Sequence, residues 1–320
     1  AATRHGIVVV NAPTGNTVAV AEHTIALMLA LARHICEANT SMHAGRWDKK
    51  HLMGSELSGK ILGLIGLGRV GAAVAARAKG FEMHVLAYDP FVSPDRARQL
   101  DVQLVGFEEL LAQADYVSLH APLTERTRGM IGACELALMK RTAYLVNCAR
   151  GDLLQEEALV QALREGIIAG AALDVFAQEP NVNPMLRECP RCLLTPHLGA
   201  STEEAQAGAA EEVVTQVMDV LAGRPAKYPV NIVALPPEEV AFLTPYLDLA
   251  RRMGRFYAQW ADNHLTRLEV TYAGEVATHD LSLLTAAVLA GVFSEVDEPV
   301  NLVNAHLIAR ERGLVVDERR

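Results

Sequence analysis

The sequence predicts an α/β protein whose central part is a doubly wound parallel sheet. Between residues 60 and 200, short apolar runs alternate with stretches of helical periodicity. The runs are continuously apolar, which is typical of parallel strands that are buried on both faces. A glycine-rich turn joins the first run to the helix after it, and the chain changes character after residue 229. We therefore expect one large α/β domain followed by a second, small α/β unit.

Six strands and the helices between them make up the predicted sheet. The strands are expected at residues 61–65, 83–88, 116–119, 143–147, 168–173 and 193–194. The clearest helices between them are expected at residues 70–79, 108–114 and 156–165. Strands in this alternation end at one common edge of the sheet, and open α/β sheets bind their ligands at that edge.

The segments that flank the sheet have patterns of their own. Residues 7–10 are predicted to form a buried strand, and residues 18–35 a helix that is apolar on nearly every face. Such a helix must be covered on all sides, by other domains or by another subunit. A long helix at residues 201–221 is predicted to open with a capping box from Ser201 to Glu204.

Composition argues against several classes of partner. The net charge of −9 argues against nucleic acid and anionic membranes, and the longest apolar runs are too short or too interrupted to span a bilayer. Five scattered cysteines indicate reduced thiols in a cytoplasmic protein. Cys189 and Cys192 form a C-x-x-C without a second pair, so we interpret them as part of a surface loop and expect no metal.

The motif G-x-G-x-x-G occurs as GLGRVG between a predicted strand and a predicted helix. Gly66 allows a tight turn, Gly68 lets the backbone approach a pyrophosphate, and Gly71 lets the helix pack close to the strand. The start of the helix, at Arg69 and Val70, offers unpaired N–H groups and the positive end of the helix dipole. The sequence therefore predicts a phosphate-binding turn.

Asp89 ends the next strand, 23 residues after Gly66. A carboxylate at this position accepts hydrogen bonds from both ribose hydroxyls of NAD and repels the 2′-phosphate of NADP. The motif and the acid together predict that the cofactor is NAD. The alternative interpretation is a glycine-rich turn followed by a capping aspartate, with no nucleotide bound.

Three further segments place a reactive side chain just beyond a strand. VNCARG contains Arg150, ALDVFAQEP contains Glu179, and TPHLGAST contains His197. All three lie at carboxyl ends of predicted parallel strands, and so at the same edge as the glycine-rich motif. Taken singly, each is better explained as an ordinary loop residue. Their joint appearance after successive strands indicates catalysis.

These side-chain types suit hydride transfer between a nicotinamide and a 2-hydroxy or 2-oxo acid. An imidazole accepts or donates the oxygen-bound proton near neutral pH. A carboxylate beside it fixes its tautomer and favours its charged form. A guanidinium binds the substrate carboxylate through two parallel hydrogen bonds. The sequence thus predicts an NAD-dependent oxidoreductase.

Together these motifs resemble those of the D-isomer-specific 2-hydroxyacid dehydrogenases, in the same order, from residue 1 to about residue 224. Residues 230–320, with YLDLARRMGRF and VNLVNAHLIARERGLVV, resemble the intervening domain of the long-form members that act on D-3-phosphoglycerate. The resemblance implies a Rossmann-like NAD domain with a dimerisation helix and arm, the remnant of a split flavodoxin-like substrate domain, and an intervening domain. These are expected at residues 18–199, at 1–17 with 200–224, and at 225–320.

The resemblance also implies roles for individual residues. Arg150 would bind the substrate carboxylate, His197 would be the acid–base group with Glu179 as its partner, and Asn16 would belong to the substrate wall. Further contacts to NAD are expected from the loops at the same edge, namely from His120, Ala121, Pro122, Cys148, Ala149, Arg150, Asp174, His197 and Gly199.

The implied activity is NAD-dependent oxidation of D-3-phosphoglycerate to 3-phosphohydroxypyruvate, the first step of serine biosynthesis, by a cytoplasmic homodimer or homotetramer. One alternative is a glyoxylate or hydroxypyruvate reductase, which the segment after residue 230 disfavours. Another is a non-catalytic NAD sensor similar to the co-repressors of this family, which the net charge and the added small domain disfavour.

Two more expectations concern the ends of the sequence and the arm. Both ends look cut, so we expect the chain to expose an apolar patch on its domain-crossing helices, to bind NAD weakly or moderately and to turn over little. Lys49 and Lys50, after Trp47, would either reach a phosphate site in a neighbouring subunit or form a solvated basic loop.

Overall fold

A computed structural model describes residues 1–222, 224–233, 235, 237–260, 265–294 and 299–320. Thr14–Ala209 form one compact unit, and Ala1–Pro13 with Ala210–Arg320 form another. The strands in the described residues are β1 Ile61–Ile65, β2 His84–Tyr88, β3 Gln103–Leu104, β4 Tyr116–Leu119, β5 Tyr144–Asn147, β6 Gly170–Leu173, β7 Cys192–Leu194, β8 Arg267–Thr271 and β9 Val315–Arg319. The α-helices there are α1 Thr17–Ala32, α2 Ile35–His43, α3 Arg69–Gly80, α4 Pro94–Gln99, α5 Phe107–Gln113, α6 Ala133–Leu138, α7 Glu156–Glu165, α8 Pro184–Arg187, α9 Glu203–Leu221, α10 Pro237–Trp260, α11 Ser282–Val292 and α12 Ala305–Glu311.

The larger unit contains a seven-stranded sheet in the order β3-β2-β1-β4-β5-β6-β7. Every neighbouring pair is parallel. The chain starts at β1 in the middle, runs out to β3 and then returns to β4 beside β1. This confirms the doubly wound fold, with a switch point between β1 and β4, where such sheets bind their ligands.

Continuous apolar runs arise because both faces of this sheet are covered. Within β5, Leu145 packs in the core on the side of α5, α6 and α7, whereas the next residue, Val146, packs in the core on the side of α1 and α3. Successive strand residues point to opposite faces, so both must be apolar. Each fully buried side chain of this size contributes about 2 kcal/mol.

The predicted strands are confirmed, with small differences in their ends. The strands at residues 61–65 and 116–119 have the predicted bounds, and the other four differ by one or two residues at their start. The edge strand β3 was missed because a two-residue strand has too short an apolar pattern to be recognised.

Helix α1 is covered mainly by its own unit. Met28 and Ala21 are fully buried, and the helix packs on α3, β5 and β6. The prediction that other domains or another subunit must cover α1 on all sides is therefore wrong for most of its surface, although Val18 is exposed. The helix also ends earlier than predicted, because His34 has a left-handed φ of 51° and α2 begins after it.

In the smaller unit, helix α10 packs on α11, and β8 and β9 form a two-stranded parallel sheet. The predicted buried strand at residues 7–10 is wrong: Ile7 and Val9 are exposed. The segment has one bridge, between Val10 and Pro229. The N–H groups of Val9 and Tyr228, which would extend the pairing, donate to the side chains of Asn231 and Gln216 instead, at 2.8 and 2.7 Å, so no ladder forms.

Helix α9 differs from its prediction at its first turn. The hydroxyl of Thr202, rather than that of Ser201, accepts a hydrogen bond from the backbone N–H of Ala205, at 3.1 Å. The predicted capping box is therefore wrong. Along its second half the helix exposes four apolar side chains: Val214, Val217, Met218 and Leu221.

Gly223, at the start of the glycine- and proline-containing stretch after α9, lies outside the described residues. In the described part of the chain, no single helix is long and apolar enough to cross a membrane. The bent pair of α1 and α2 would meet that test together, by length and composition only.

Candidate active site

The glycine-rich turn lies at the switch point of the sheet. Gly66 has a φ of 100°, and a Cβ there would lie 2.7 Å from the carbonyl carbon of His120. A Cβ on Gly71 would lie 2.2 Å from the carbonyl oxygen of Gly66. Neither position has room for a side chain. Around Gly68, by contrast, a Cβ would meet nothing within 4 Å, so this backbone is open to a ligand.

Asp89 is held beside this turn by two backbone hydrogen bonds. Its carboxylate accepts the N–H of Leu67 at 2.8 Å and the N–H of Phe91 at 2.9 Å, one on each oxygen. Each oxygen keeps a further acceptor position for a hydroxyl. Helix α3 begins with Arg69 and Val70, and no side chain caps its first turn. These features fit the ribose and pyrophosphate of a dinucleotide.

The segment after β4 packs against the glycine-rich turn. Nε2 of the His120 ring and the hydroxyl of Ser118 form a hydrogen bond of 2.9 Å. Desolvation lowers the pKa of His120 to about 4, so the ring is neutral at neutral pH. Ala121 is partly buried and Pro122 is exposed.

Arg150 is presented by a turn that a buried asparagine organises. The side chain of Asn147 accepts the N–H of Ala149 at 3.0 Å and donates to the carbonyl of Arg150 at 2.9 Å. The guanidinium of Arg150 is exposed, and it donates to the carbonyl of Ala149 at 2.6 Å. Cys148 is buried in the same turn, and desolvation raises the pKa of its thiol to about 12, so it is not a nucleophile.

The loops that carry Arg150 and Glu179 are packed together at Gly151. A Cβ on Gly151 would lie 1.9 Å from the carbonyl carbon of Phe176 and 2.1 Å from its oxygen. No side chain fits between backbones this close. The glycine therefore fixes the distance between the two loops.

His197 and Glu179 form a close pair of titratable groups at this edge. His197 Nδ1 lies 2.7 Å from Glu179 Oε2, and the other oxygen, Oε1, accepts the N–H of Phe176 at 3.0 Å. Desolvation alone would raise the pKa of Glu179, but the hydrogen bonds from His197 and Phe176 outweigh it and lower that pKa. In the described part of the chain, no protein group bonds His197 Nε2, and the side chain is 53% exposed.

Asp174 is the buried centre of this edge, with a side chain only 1% exposed. Its Oδ1 accepts the N–H of Leu198 at 2.8 Å and the hydroxyl of Thr195 at 2.6 Å, and Oδ2 accepts the N–H of Gly199 at 2.8 Å. His23 Nε2 lies 3.1 Å from Oδ1. Desolvation would raise the pKa of Asp174, but these hydrogen bonds lower it to about 2.

Sequence reasoning missed His23 and Thr195 at this site. His23 lies on α1, and its Nε2 is also 3.2 Å from the hydroxyl of Thr195. The one available signal was that His23 interrupts an otherwise apolar helix.

In the described part of the chain, no hydrogen bond or ion pair joins the remaining predicted residues to His197 or Glu179. Asn16 precedes α1, is partly buried and makes no side-chain cap. Lys49 and Lys50 lie in an exposed helical turn. The segment from Cys189 to Cys192 is a loop that leads into β7, as predicted, but Cys189 is buried in the core, so the predicted surface position of this pair is wrong. The described residues contain no group of three or more potential metal ligands.

Two family models match the chain. Residues 25–199 match the NAD binding domain of the D-isomer specific 2-hydroxyacid dehydrogenases, and residues 242–320 match the D-3-phosphoglycerate dehydrogenase intervening domain. The chain belongs to the D-isomer-specific 2-hydroxyacid dehydrogenase family. It carries that family's NAD-binding domain, so NAD is the cofactor expected from the residues around Gly68 and Asp89.

Curated relatives of this family are similar over the whole chain. The D-3-phosphoglycerate dehydrogenase of Synechocystis is 48% identical over 100% of the chain, and that of Archaeoglobus fulgidus is 44% identical over 100%. The chain covers 58% and 61% of these two proteins. It thus spans about 60% of the length of the curated relatives it matches.

Two solved structures have a similar fold over 72% of the chain. The TT0316 protein from Thermus thermophilus has a TM-score of 0.67 and 40% identity, with 72% of this chain and 73% of that chain covered. A D-lactate dehydrogenase with NAD+ from Lactobacillus jensenii has a TM-score of 0.65 and 31% identity, with 72% and 73% covered.

Proposed function

We propose that the chain is part of an NAD-dependent dehydrogenase that oxidises D-3-phosphoglycerate to 3-phosphohydroxypyruvate. The observation that carries the reaction type is the pair of His197 and Glu179, 2.7 Å apart, at the sheet edge that also presents Arg150 and the glycine-rich turn. The choice of substrate rests on the intervening-domain match at residues 242–320 and on the names of the curated relatives.

In this proposal NAD supplies a nicotinamide ring that accepts the C2 hydride. His197 accepts the proton of the C2 hydroxyl at Nε2, because Nδ1 is held by Glu179. The Glu179 carboxylate then stabilises the imidazolium that forms. Arg150 binds the substrate carboxylate and holds C2 in place.

We propose that the other residues expected at the NAD site contact the cofactor as follows. Gly66, Gly68, Arg69, Val70 and Gly71 would hold the pyrophosphate, and Asp89 the ribose. The other NAD contacts are assigned to the loops at the same edge, at His120, Ala121, Pro122, Cys148, Ala149, Arg150, Asp174, His197 and Gly199. Asn16 is proposed as part of the substrate wall.

We also propose a domain division, an oligomeric state and a cellular location for the protein. We assign residues 18–199 to the NAD domain, 1–17 with 200–224 to part of the substrate domain, and 225–320 to the intervening domain. A homodimer or homotetramer without nucleic-acid or membrane partners fits the net charge of −9. A cytoplasmic location fits the five free cysteines.

The main alternative is a reductase of glyoxylate or hydroxypyruvate. A glyoxylate reductase from Paecilomyes thermophila has a TM-score of 0.67 and 36% identity, with 74% of this chain and 70% of that chain covered. The sheet edge alone does not separate the two activities. The intervening-domain match favours the phosphorylated substrate.

The test uses the full-length gene product. NADH formation is followed by absorbance with D-3-phosphoglycerate, glycerate and D-lactate, for the wild type and for His197→Ala. We expect turnover of the phosphorylated acid, and a fall of about a thousandfold in kcat when the base is removed.

His84→Ala is the matched control. His84 is an exposed histidine at the amino end of β2, at the opposite edge of the sheet, so its removal should leave kcat unchanged. If the wild type oxidises none of the three acids while it still binds NADH, the catalytic proposal is wrong and a sensor function takes its place.

A further inference from the structure

Helix α1 faces the catalytic edge with one side of its first two turns. A Cβ on Gly199 would lie 3.5 Å from Cγ2 of Val20, which places this part of the helix directly behind the loop after β7. One turn further along, His23 forms polar contacts with that edge. Its side chain is 19% exposed, so it is largely enclosed.

The hydrogen on the His23 ring can be assigned from its partners. The hydroxyl of Thr195 donates its hydrogen to Oδ1 of Asp174, at 2.6 Å, so its oxygen is left to accept. Oδ1 belongs to a carboxylate that is ionised at neutral pH and can only accept. Because both neighbours of His23 Nε2 are acceptors, at 3.1 and 3.2 Å, Nε2 carries a hydrogen and donates it to them.

Asp174 in turn holds the turn that contains His197. His197 has a φ of 55°, a left-handed conformation that is uncommon for residues other than glycine. Its N–H donates to the carbonyl of Asp174 at 2.9 Å. The N–H groups of Leu198 and Gly199 donate to the two different oxygens of the Asp174 carboxylate. Both of those bonds require one orientation of the carboxylate plane.

We propose that His23 is a positioning residue, whose Nε2–H fixes the Asp174 carboxylate in the orientation that keeps His197 opposite Glu179. The inference rests on the proposed function, in which His197 is the base. The donor comes from a helix that packs on α3, β5 and β6, so it is rigid. Thr195, by contrast, lies in the same turn as His197, so it is not an anchor from outside that turn.

The test compares two substitutions in the full-length gene product. His23→Leu keeps much of the volume and removes the donor, whereas His23→Gln places an amide N–H near the position of Nε2. With D-3-phosphoglycerate we expect His23→Leu to lower kcat about tenfold, the effect of one hydrogen bond. We expect KM for D-3-phosphoglycerate to stay within about twofold, and His23→Gln to recover most of the lost turnover.

A second readout does not depend on activity. Histidine-selective ¹⁵N NMR detects the hydrogen-bonded Nδ1–H of His197 beside Glu179. We expect this resonance in the wild type, its loss in His23→Leu and its return in His23→Gln. His84→Leu, at the opposite edge of the sheet, should change neither the resonance nor kcat.

Each other result has a definite meaning. If His23→Leu keeps both the resonance and the turnover, the positioning role is wrong. It is also wrong if His23→Gln is as impaired as His23→Leu and both lower the thermal unfolding midpoint equally, because His23 is then only structural. If the wild type oxidises no 2-hydroxy acid, but the His197 resonance is lost in His23→Leu and returns in His23→Gln, the proposed function is wrong and the positioning role is supported.

Discussion

Replacing Asp174 by asparagine tests how much the buried carboxylate contributes to stability. The side chain is 1% exposed, and its pKa is about 2 against an ordinary value of 3.8. A difference of this size corresponds to about 2 kcal/mol in the free energy of unfolding. The neutral amide of Asp174→Asn cannot supply this contribution, and its N–H₂ would face donor groups. We expect a loss of about 2 kcal/mol at neutral pH, or somewhat more.

The dependence on pH has a definite sign. Because the pKa of Asp174 is lower in the folded state than in the unfolded chain, its contribution is fully present above about pH 4 and is lost as the pH falls to about 2. The gap in unfolding free energy between the wild type and Asp174→Asn should therefore be constant near neutral pH. This difference in unfolding free energy should disappear as the pH falls from about 4 to about 2.

Amide hydrogen exchange of β5 and β6 measures this free energy within the larger unit, which matters because the chain has two units. Asp101→Asn is the matched control. Asp101 is 89% exposed in its ion pair with Lys79, so its loss should cost less than about 0.5 kcal/mol. If wild type and Asp174→Asn have the same unfolding free energy at neutral pH, or if their difference is unchanged at pH 2, this account of Asp174 is wrong.

Two further substitutions test other contacts at the same edge. Gly151→Ala would put a methyl group 1.9 Å from the carbonyl carbon of Phe176. Because the two loops must then separate, we expect kcat/KM for D-3-phosphoglycerate to fall about a hundredfold. In the control, Gly80→Ala, the methyl group meets nothing within 4 Å, so kcat/KM should change by less than about twofold. Asp89→Ala should raise the Kd for NADH about tenfold or more and reduce the preference for NADH over NADPH, as measured by fluorescence titration. If that preference does not change, the assignment of Asp89 to the ribose is wrong.

Local sequence signals predicted the central fold well because they record local constraints. Gly66 and Gly71 lie where a side chain has no room, which is the condition that the motif encodes. The strands ended where their apolar runs ended, so the positions of Arg150, Glu179 and His197 at one edge followed from the parallel arrangement.

What the sequence could not predict depends on contacts between distant segments. His23 and Asp174 are 151 residues apart, and nothing in the periodicity of α1 indicates which polar group its histidine meets. The same helix was correctly predicted to be apolar and enclosed, but its pattern does not say what encloses it. At residues 7–10 the apolar pattern was present, yet the N–H groups that would extend the pairing beside the Val10–Pro229 bridge donate to side chains from distant segments.

The left-handed backbone of His197 restricts which residue can stand in for it without disturbing the loop. Asparagine adopts this conformation more readily than most side chains, whereas alanine and β-branched residues are strained there. His197→Asn therefore removes the imidazole with little change of backbone shape. It is the substitution of choice for trapping a substrate complex, because the loop that recognises the ligand would stay as it is while the proton acceptor is gone.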